Sequence, residues 1–336
     1  MSKAQITPEP ILVLTRQEIA GLLNFNDYVT AVEEAFRLYE EDKALSPGVL
    51  DIKAQGGAFH IKAAGLPLER TYIAVKVNGN FSQNRSRFGL PTIQGAITLC
   101  DGTTGSPLAF MDSIEITINR TAAATAVAAK YLARPDSTRA TICGCGEQGK
   151  IQLIALNHVL PLERVYAFDT NEITAATFAE QMSNELKLTV TPVASLKDAT
   201  LSSDVIVTCT TARQPFLGRD DVGPGTFVAA VGADSHDKQE LDPDLMVSNK
   251  IVVDILEQCA TIGDLHHALQ QGVFSKADVY AELGTIVTGR KQGRTSADEI
   301  IILDTTGTAL QDVAAAATIY ERAKREGIGY ACNLSG

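Results

Sequence analysis

The sequence predicts an α/β protein in which a doubly wound parallel sheet sits inside a second, discontinuous α+β domain. Three observations carry this. First, Arg139-Ala140-Thr141-Ile142-Cys143 runs into Gly144-Cys145-Gly146-Glu147-Gln148-Gly149 and then into a helix-compatible run, Lys150 to Val159. An apolar run, a G-x-G-x-x-G turn and a helix, in that order, open a dinucleotide-binding β-α-β unit. Second, the next apolar run, Val165-Tyr166-Ala167-Phe168, ends on Asp169, 20 residues past Gly149. Such units place an acid there for the ribose hydroxyls. Third, strand-like and helix-like stretches alternate from about Arg139 to Asp304, the pattern of a Rossmann-type sheet.

Ahead of that region, Asp27 to Asp42 has helical spacing, with Asp27 placed to cap it. Strand-like pieces follow at Phe59–Lys62, Tyr72–Val77 and Ile93–Leu99, the last closed by a turn at Asp101-Gly102-Thr103-Thr104-Gly105. A helix of small residues, Thr121 to Leu132, leads into the nucleotide domain. Within it, apolar runs fall at 140–143, 165–168, 190–193, 205–209, 227–231, 251–255 and 300–303. Those at 205–209 and 251–255 are continuous and β-branched, as strands covered on both faces are. A last helix, Thr308 to Glu326, follows a turn at Gly307 and is expected to pack back on the first domain. The expected domains are therefore 1–125 with 310–336, and 126–309.

Composition narrows the function. The 336 residues suffice for two domains with their own cores, and 45% hydrophobic with 21% charged residues is the balance of a globular protein in water. A net charge of −11 argues against nucleic acid and against anionic membranes as partners. No apolar run has the length of a membrane span, and Met1 to Pro10 lacks the apolar core of a signal peptide. The six cysteines form no C-x-x-C pair, which reads as reduced thiols in a cytoplasmic protein. Five histidines, with His266 and His267 adjacent, give no spacing for a metal, and none is expected.

Four further stretches carry chemistry. Ala74-Val75-Lys76-Val77-Asn78 sets a lysine inside an apolar strand; the alternation points it to the side of Ala74 and Asn78, toward either solvent or a cleft. Asn119-Arg120-Thr121-Ala122-Ala123 puts an arginine at the expected start of a small-residue helix, whose positive end would seat a carboxylate or phosphate. Val231-Gly232-Ala233-Asp234 follows a buried strand, so Asp234 is either a helix cap or a group at the ligand-binding edge of the sheet. Asp304-Thr305-Thr306-Gly307 is a second turn of that kind.

Together with the Gly144–Gly149 loop and Lys238-Gln239-Glu240-Leu241, these stretches resemble the ornithine cyclodeaminase/mu-crystallin family over essentially the whole chain. The resemblance implies a homodimer in which a dinucleotide domain is inserted in a substrate-binding and dimerisation domain. It implies NAD as cofactor, Lys76 and Asp234 as a catalytic pair, and Arg120 as a carboxylate anchor. It sets Thr92, Gly144, Gly146, Glu147, Gln148, Gly149, Asp169, Thr210, Val231, Gly232, Lys238 and Thr305 against the cofactor and Thr306 against the substrate. Gly48 stands where many relatives carry a carboxylate-binding arginine; the nearest cationic candidate is Lys62.

The family's enzymes move a hydride between nicotinamide and the α-carbon of an amino or imino acid. Gly232-Ala233-Asp234-Ser235-His236 looks more like the alanine dehydrogenase side than the Gly-Gly-Asp-Cys form of cyclodeaminases. The expectation is therefore an NAD(H)-linked reductase or dehydrogenase of a small imino or keto acid, dicarboxylic if Lys62 and Arg120 both face the substrate. A cyclodeaminase-type lyase with catalytic NAD is the alternative, and a crystallin-type binding protein without catalysis is a further one. Thr170, not a basic residue, follows Asp169, so NAD is expected over NADP.

Overall fold

The computed structural model describes residues 9–334 and divides the chain into two compact units. One runs to Arg120 and resumes at Thr308; the other is Thr121–Gly307.

In the first unit seven strands form one sheet, in the order Tyr330–Cys332, Ile11–Leu14, Pro107–Asp112, Ile93–Asp101, Thr71–Asn80, Gly57–Pro67, Leu45–Ala54. All neighbours are antiparallel except Ile11–Leu14 with Pro107–Asp112. The C-terminal helix, Ala309–Glu326, lies on the Gly57–Pro67 and Thr71–Asn80 strands and against the helix Phe25–Glu40. That covers one face of the sheet, where Leu66, Tyr72 and Ala74 are buried. On the other face Leu50, Ile52, Phe59, Val77 and Phe110 are all exposed.

Two sequence expectations change here. The helix expected from Asp27 begins at Phe25 and is capped by Asn24; Asp27 is the third helical residue, and its carboxylate returns to the Asn24 N–H. The reciprocal pair satisfies two end donors at once, which a lone cap cannot do. The helix expected from Thr121 begins at Ile114 and runs to Leu132. Its first turn, Ile114-Glu115-Ile116-Thr117, is β-branched and reads poorly as helix, but Asp112 accepts the Ile114 N–H at 2.9 Å and Ile116 is fully buried. Tertiary packing overrides weak propensity there. Arg120 is thus in the second turn, not at the positive helix end, and needs another partner.

The second unit holds the doubly wound sheet expected from the sequence. Its eight strands are all parallel, in the order Ala281–Glu282, Lys250–Val253, Ile301–Asp304, Phe227–Ala230, Val205–Thr208, Arg139–Cys143, Arg164–Phe168, Thr189–Pro192. From Arg139–Cys143 the chain steps one way to Thr189–Pro192, then returns to the other side at Val205–Thr208. The direction reverses between those two neighbours, and ligands of open α/β sheets bind beyond the strand ends at such a reversal.

Candidate active site

At the reversal point the glycines do separate jobs. Gly144 has φ +101°, a left-handed conformation that favours glycine, and a side chain there would meet the Cys209 carbonyl. Gly149 is in the helix Glu147–Val159, and an added Cβ would lie 2.1 Å from the Gly144 carbonyl oxygen. Only glycine lets that helix start so close to the strand. Gly146, at the helix N-cap, has nothing within 4 Å of where a Cβ would be, so the first-turn N–H groups open onto free space. A diphosphate fits that opening, where the helix dipole favours negative charge. Glu147 and Gln148 stand on the same turn.

Asp169 follows the Arg164–Phe168 strand. One carboxylate oxygen accepts the Cys145 N–H at 3.0 Å, tying the acid to the glycine loop, and the other accepts the Asn171 N–H at 2.9 Å. Across the reversal, Thr210 is held by Glu240, which accepts the Thr210 N–H and hydroxyl, the Thr208 hydroxyl at 2.7 Å and the Gly232 N–H at 2.9 Å. Burial pushes the Glu240 carboxyl up, while these donors pull it down. One buried side chain thereby fixes two cofactor-side candidates, Thr210 and Gly232, and Val231 is buried beside them. Glu240 was visible in the sequence only as part of a family-like stretch.

Asp234 is not a helix cap: no helix starts there, and its side chain is 55% exposed and paired with Lys238 at 2.6 Å. The backbone of this loop is braced by His267, whose Nε2 bonds the Lys238 carbonyl at 2.8 Å. Thr305 and Thr306 are held by Asp254, which accepts the Thr305 hydroxyl and the N–H groups of Thr306 and Gly307 at 2.8–2.9 Å. Asp254 went unremarked in the sequence, although it follows its strand as Asp169 does. Asp304, in that same turn, instead accepts the Leu265 N–H at 2.8 Å at the start of another helix.

The first unit brings together Lys62, Lys76 and Arg120. Lys62 and Lys76 are direct partners across antiparallel strands, on the face covered by the C-terminal helix, and both are buried. That helix carries Asp312, 1% exposed, whose carboxylate lies 2.6 Å from Lys76 Nζ and 2.9 Å from Arg120 Nε. Gln311 accepts a hydrogen bond from Arg120 Nη1 at 2.8 Å. Burial pushes the Lys76 ammonium down to about 7, against the pull of Asp312 and helped by Arg120 and Lys62. Burial alone would raise the Asp312 carboxyl, but Arg120 and Lys76 outweigh it and hold it low.

Gly48 pairs with Ala63 and Val49 with Lys62. Successive residues face opposite sides of a strand, so Lys62 does not replace a side chain at position 48; it adds a cation to the Lys76 face. Thr92, the remaining cofactor candidate, precedes the Ile93–Asp101 strand, and its carbonyl accepts the Phe81 N–H at 2.8 Å.

The family model described as ornithine cyclodeaminase/mu-crystallin matches residues 10–327. An alanine dehydrogenase of Archaeoglobus fulgidus is 38% identical over 319 residues, covering 95% of this chain and 97% of that one. Among solved structures, an archaeal alanine dehydrogenase dimer with bound NAD superposes with a TM-score of 0.92 at 37% identity, covering 96% of this chain and 99% of that one. The iminosuccinate reductase of Paracoccus denitrificans in complex with NAD+ gives 0.89 at 30% identity, over 97% of this chain and all (100%) of that one. Matched along almost its entire length, the chain belongs to the ornithine cyclodeaminase/mu-crystallin family.

Proposed function

We propose that the protein is an NAD(H)-dependent oxidoreductase that interconverts a small α-imino or α-keto acid and an L-amino acid, with a short dicarboxylic imino acid such as iminosuccinate as the preferred substrate. The observation that carries the reading is the buried group of Lys62, Lys76 and Arg120 around one carboxylate, Asp312. A substrate with two carboxylates would draw on both Lys62 and Arg120, each able to bind one. The relatives above include an alanine dehydrogenase and an iminosuccinate reductase, which supports the reaction class.

The glycine loop, Asp169 and Thr210 hold the dinucleotide, which supplies or takes up the hydride when bound. Arg120 and Lys62 fix the substrate carboxylates, and Thr306 contacts the substrate. Lys76, titrating near neutrality, orients the substrate and can pass a proton to it. Asp234, paired with Lys238, acts as acid or base at the reacting nitrogen. The partner is a second copy of this chain.

An NADH-oxidation screen over oxaloacetate plus ammonia, pyruvate plus ammonia and cyclic imines tests this, with ornithine plus trace NAD alongside. Stoichiometric NADH consumption is expected, greatest with the oxaloacetate mixture. Lys62→Ala should raise KM for the dicarboxylic substrate more than for pyruvate with ammonia. Conversion of ornithine to proline with substoichiometric NAD would establish the lyase instead.

A further inference from the structure

Asp312 belongs to none of the stretches that carry the family resemblance, yet it is the hub of the buried cluster. It stands in the first turn of the helix Ala309–Glu326, amid alanines, and its ion pairs reach Lys76 on one sheet strand and Arg120 on another helix. A purely structural ion pair would balance one charge with one. Here a single carboxylate contacts two cations. Gln311, one residue earlier, holds the far end of the Arg120 guanidinium.

We propose that Asp312 is a positioning residue that fixes Lys76 and Arg120 on one carboxylate and keeps Lys76 protonated for the reaction. The charged groups acting on Lys76 are Asp312 from the C-terminal helix, Arg120 from the Ile114–Leu132 helix and Lys62 from the adjacent strand. Asp312 is the only anion of the three, and burial with two cations would otherwise drive the Lys76 proton off. Its neighbour Gln311, being neutral, orients Arg120 without adding a second negative charge. The inference rests on the function proposed above for Lys76, but its direct test does not.

Lysine side-chain NMR on the full-length protein, with the Lys76 signal assigned by Lys76→Met, gives the Lys76 titration midpoint. In Asp312→Asn the midpoint is expected to fall by about one pH unit or more, the usual reach of an adjacent opposite charge. Asp312→Glu, which keeps the charge, should restore most of it. The limb of the pH–rate profile for NADH-dependent reduction should move the same way. A Lys76 midpoint unchanged in Asp312→Asn would overturn the inference. If the midpoint moves while the kinetic limb stays, the positioning role stands and Lys76 is not the proton carrier. Should Asp312→Asn fail to fold, Gln311→Glu places a second carboxylate beside Arg120 and should raise the midpoint; no movement there overturns the proposal as well.

Discussion

Asp169 shows how one side chain can set a preference. Its two oxygens are anchored by the N–H groups of Cys145 and Asn171, so the carboxylate is fixed at the end of its strand. A 2′-phosphate brought there meets like charge, and Thr170 next to it offers no cation. NADH is expected over NADPH by at least about tenfold in kcat/KM, roughly 1.4 kcal/mol; equal values for the two cofactors would count against Asp169 as the ribose contact. The proposed catalytic pair differs in setting: Lys76 is buried and Asp234 half-exposed. Lys76→Ala and Asp234→Asn are each expected to lower turnover by roughly 10²-fold, the usual contribution of a positioned acid or base. NADH binding, followed by fluorescence, should survive both changes, and near-normal turnover in either variant would reassign that residue.

At the scale of elements, buried carboxylates do the bracing in the second unit. Asp264 accepts the N–H groups of Glu240 and Leu241 on one oxygen, while its other oxygen has no partner among the described residues. Burial and the nearby Glu240 raise its carboxyl to about 7, and Asp304 beside it is raised by burial and by Asp264. The folded state therefore binds a proton more tightly than the unfolded chain between about pH 4, the ordinary Asp range, and pH 7. Stability conferred by that proton is present at low pH and is lost as pH rises through that window. Asp264→Asn keeps the acceptor oxygen and removes the buried charge. The variant is expected to be more stable than the wild type at pH 8, on the order of 1 kcal/mol or more, and by a clearly smaller margin at pH 5, near the foot of that window. Thermal midpoints at the two pH values check this, and a variant less stable at pH 8 would refute the argument.

For the whole molecule, the question is what meets the uncovered face of the seven-stranded sheet. Leu50, Ile52, Phe59, Val77 and Phe110 share that face by register, and all are exposed. Contiguous apolar surface of this kind marks an interface. The second copy proposed above as partner would cover this face. The double variant Leu50→Asp, Phe110→Asp should therefore run at half the native mass in light scattering. A mass equal to that of the wild type would move the interface elsewhere.

Much of the nucleotide-side architecture was legible because it is local. G-x-G-x-x-G before a helix, an acid at the next strand's end and continuous β-branched runs are each read within a few tens of residues. They encode backbone geometry and burial that neighbouring residues impose on each other. Glu240, Asp254 and Asp312 were not read, because nothing local tells a carboxylate that braces a site from one that lies in water. An acid within the alanine-rich stretch Ala309–Ala317 was the one available signal for Asp312. The sequence by itself determined the doubly wound sheet, its glycine-rich turn and the lysine's alternation within its strand. Only the tertiary structure decided that the Arg120 helix starts at Ile114, that Lys62 faces Lys76, and that Arg120 meets Asp312 across 192 positions of chain. Strand register and helix docking are set by long-range burial, and no window of sequence contains both partners.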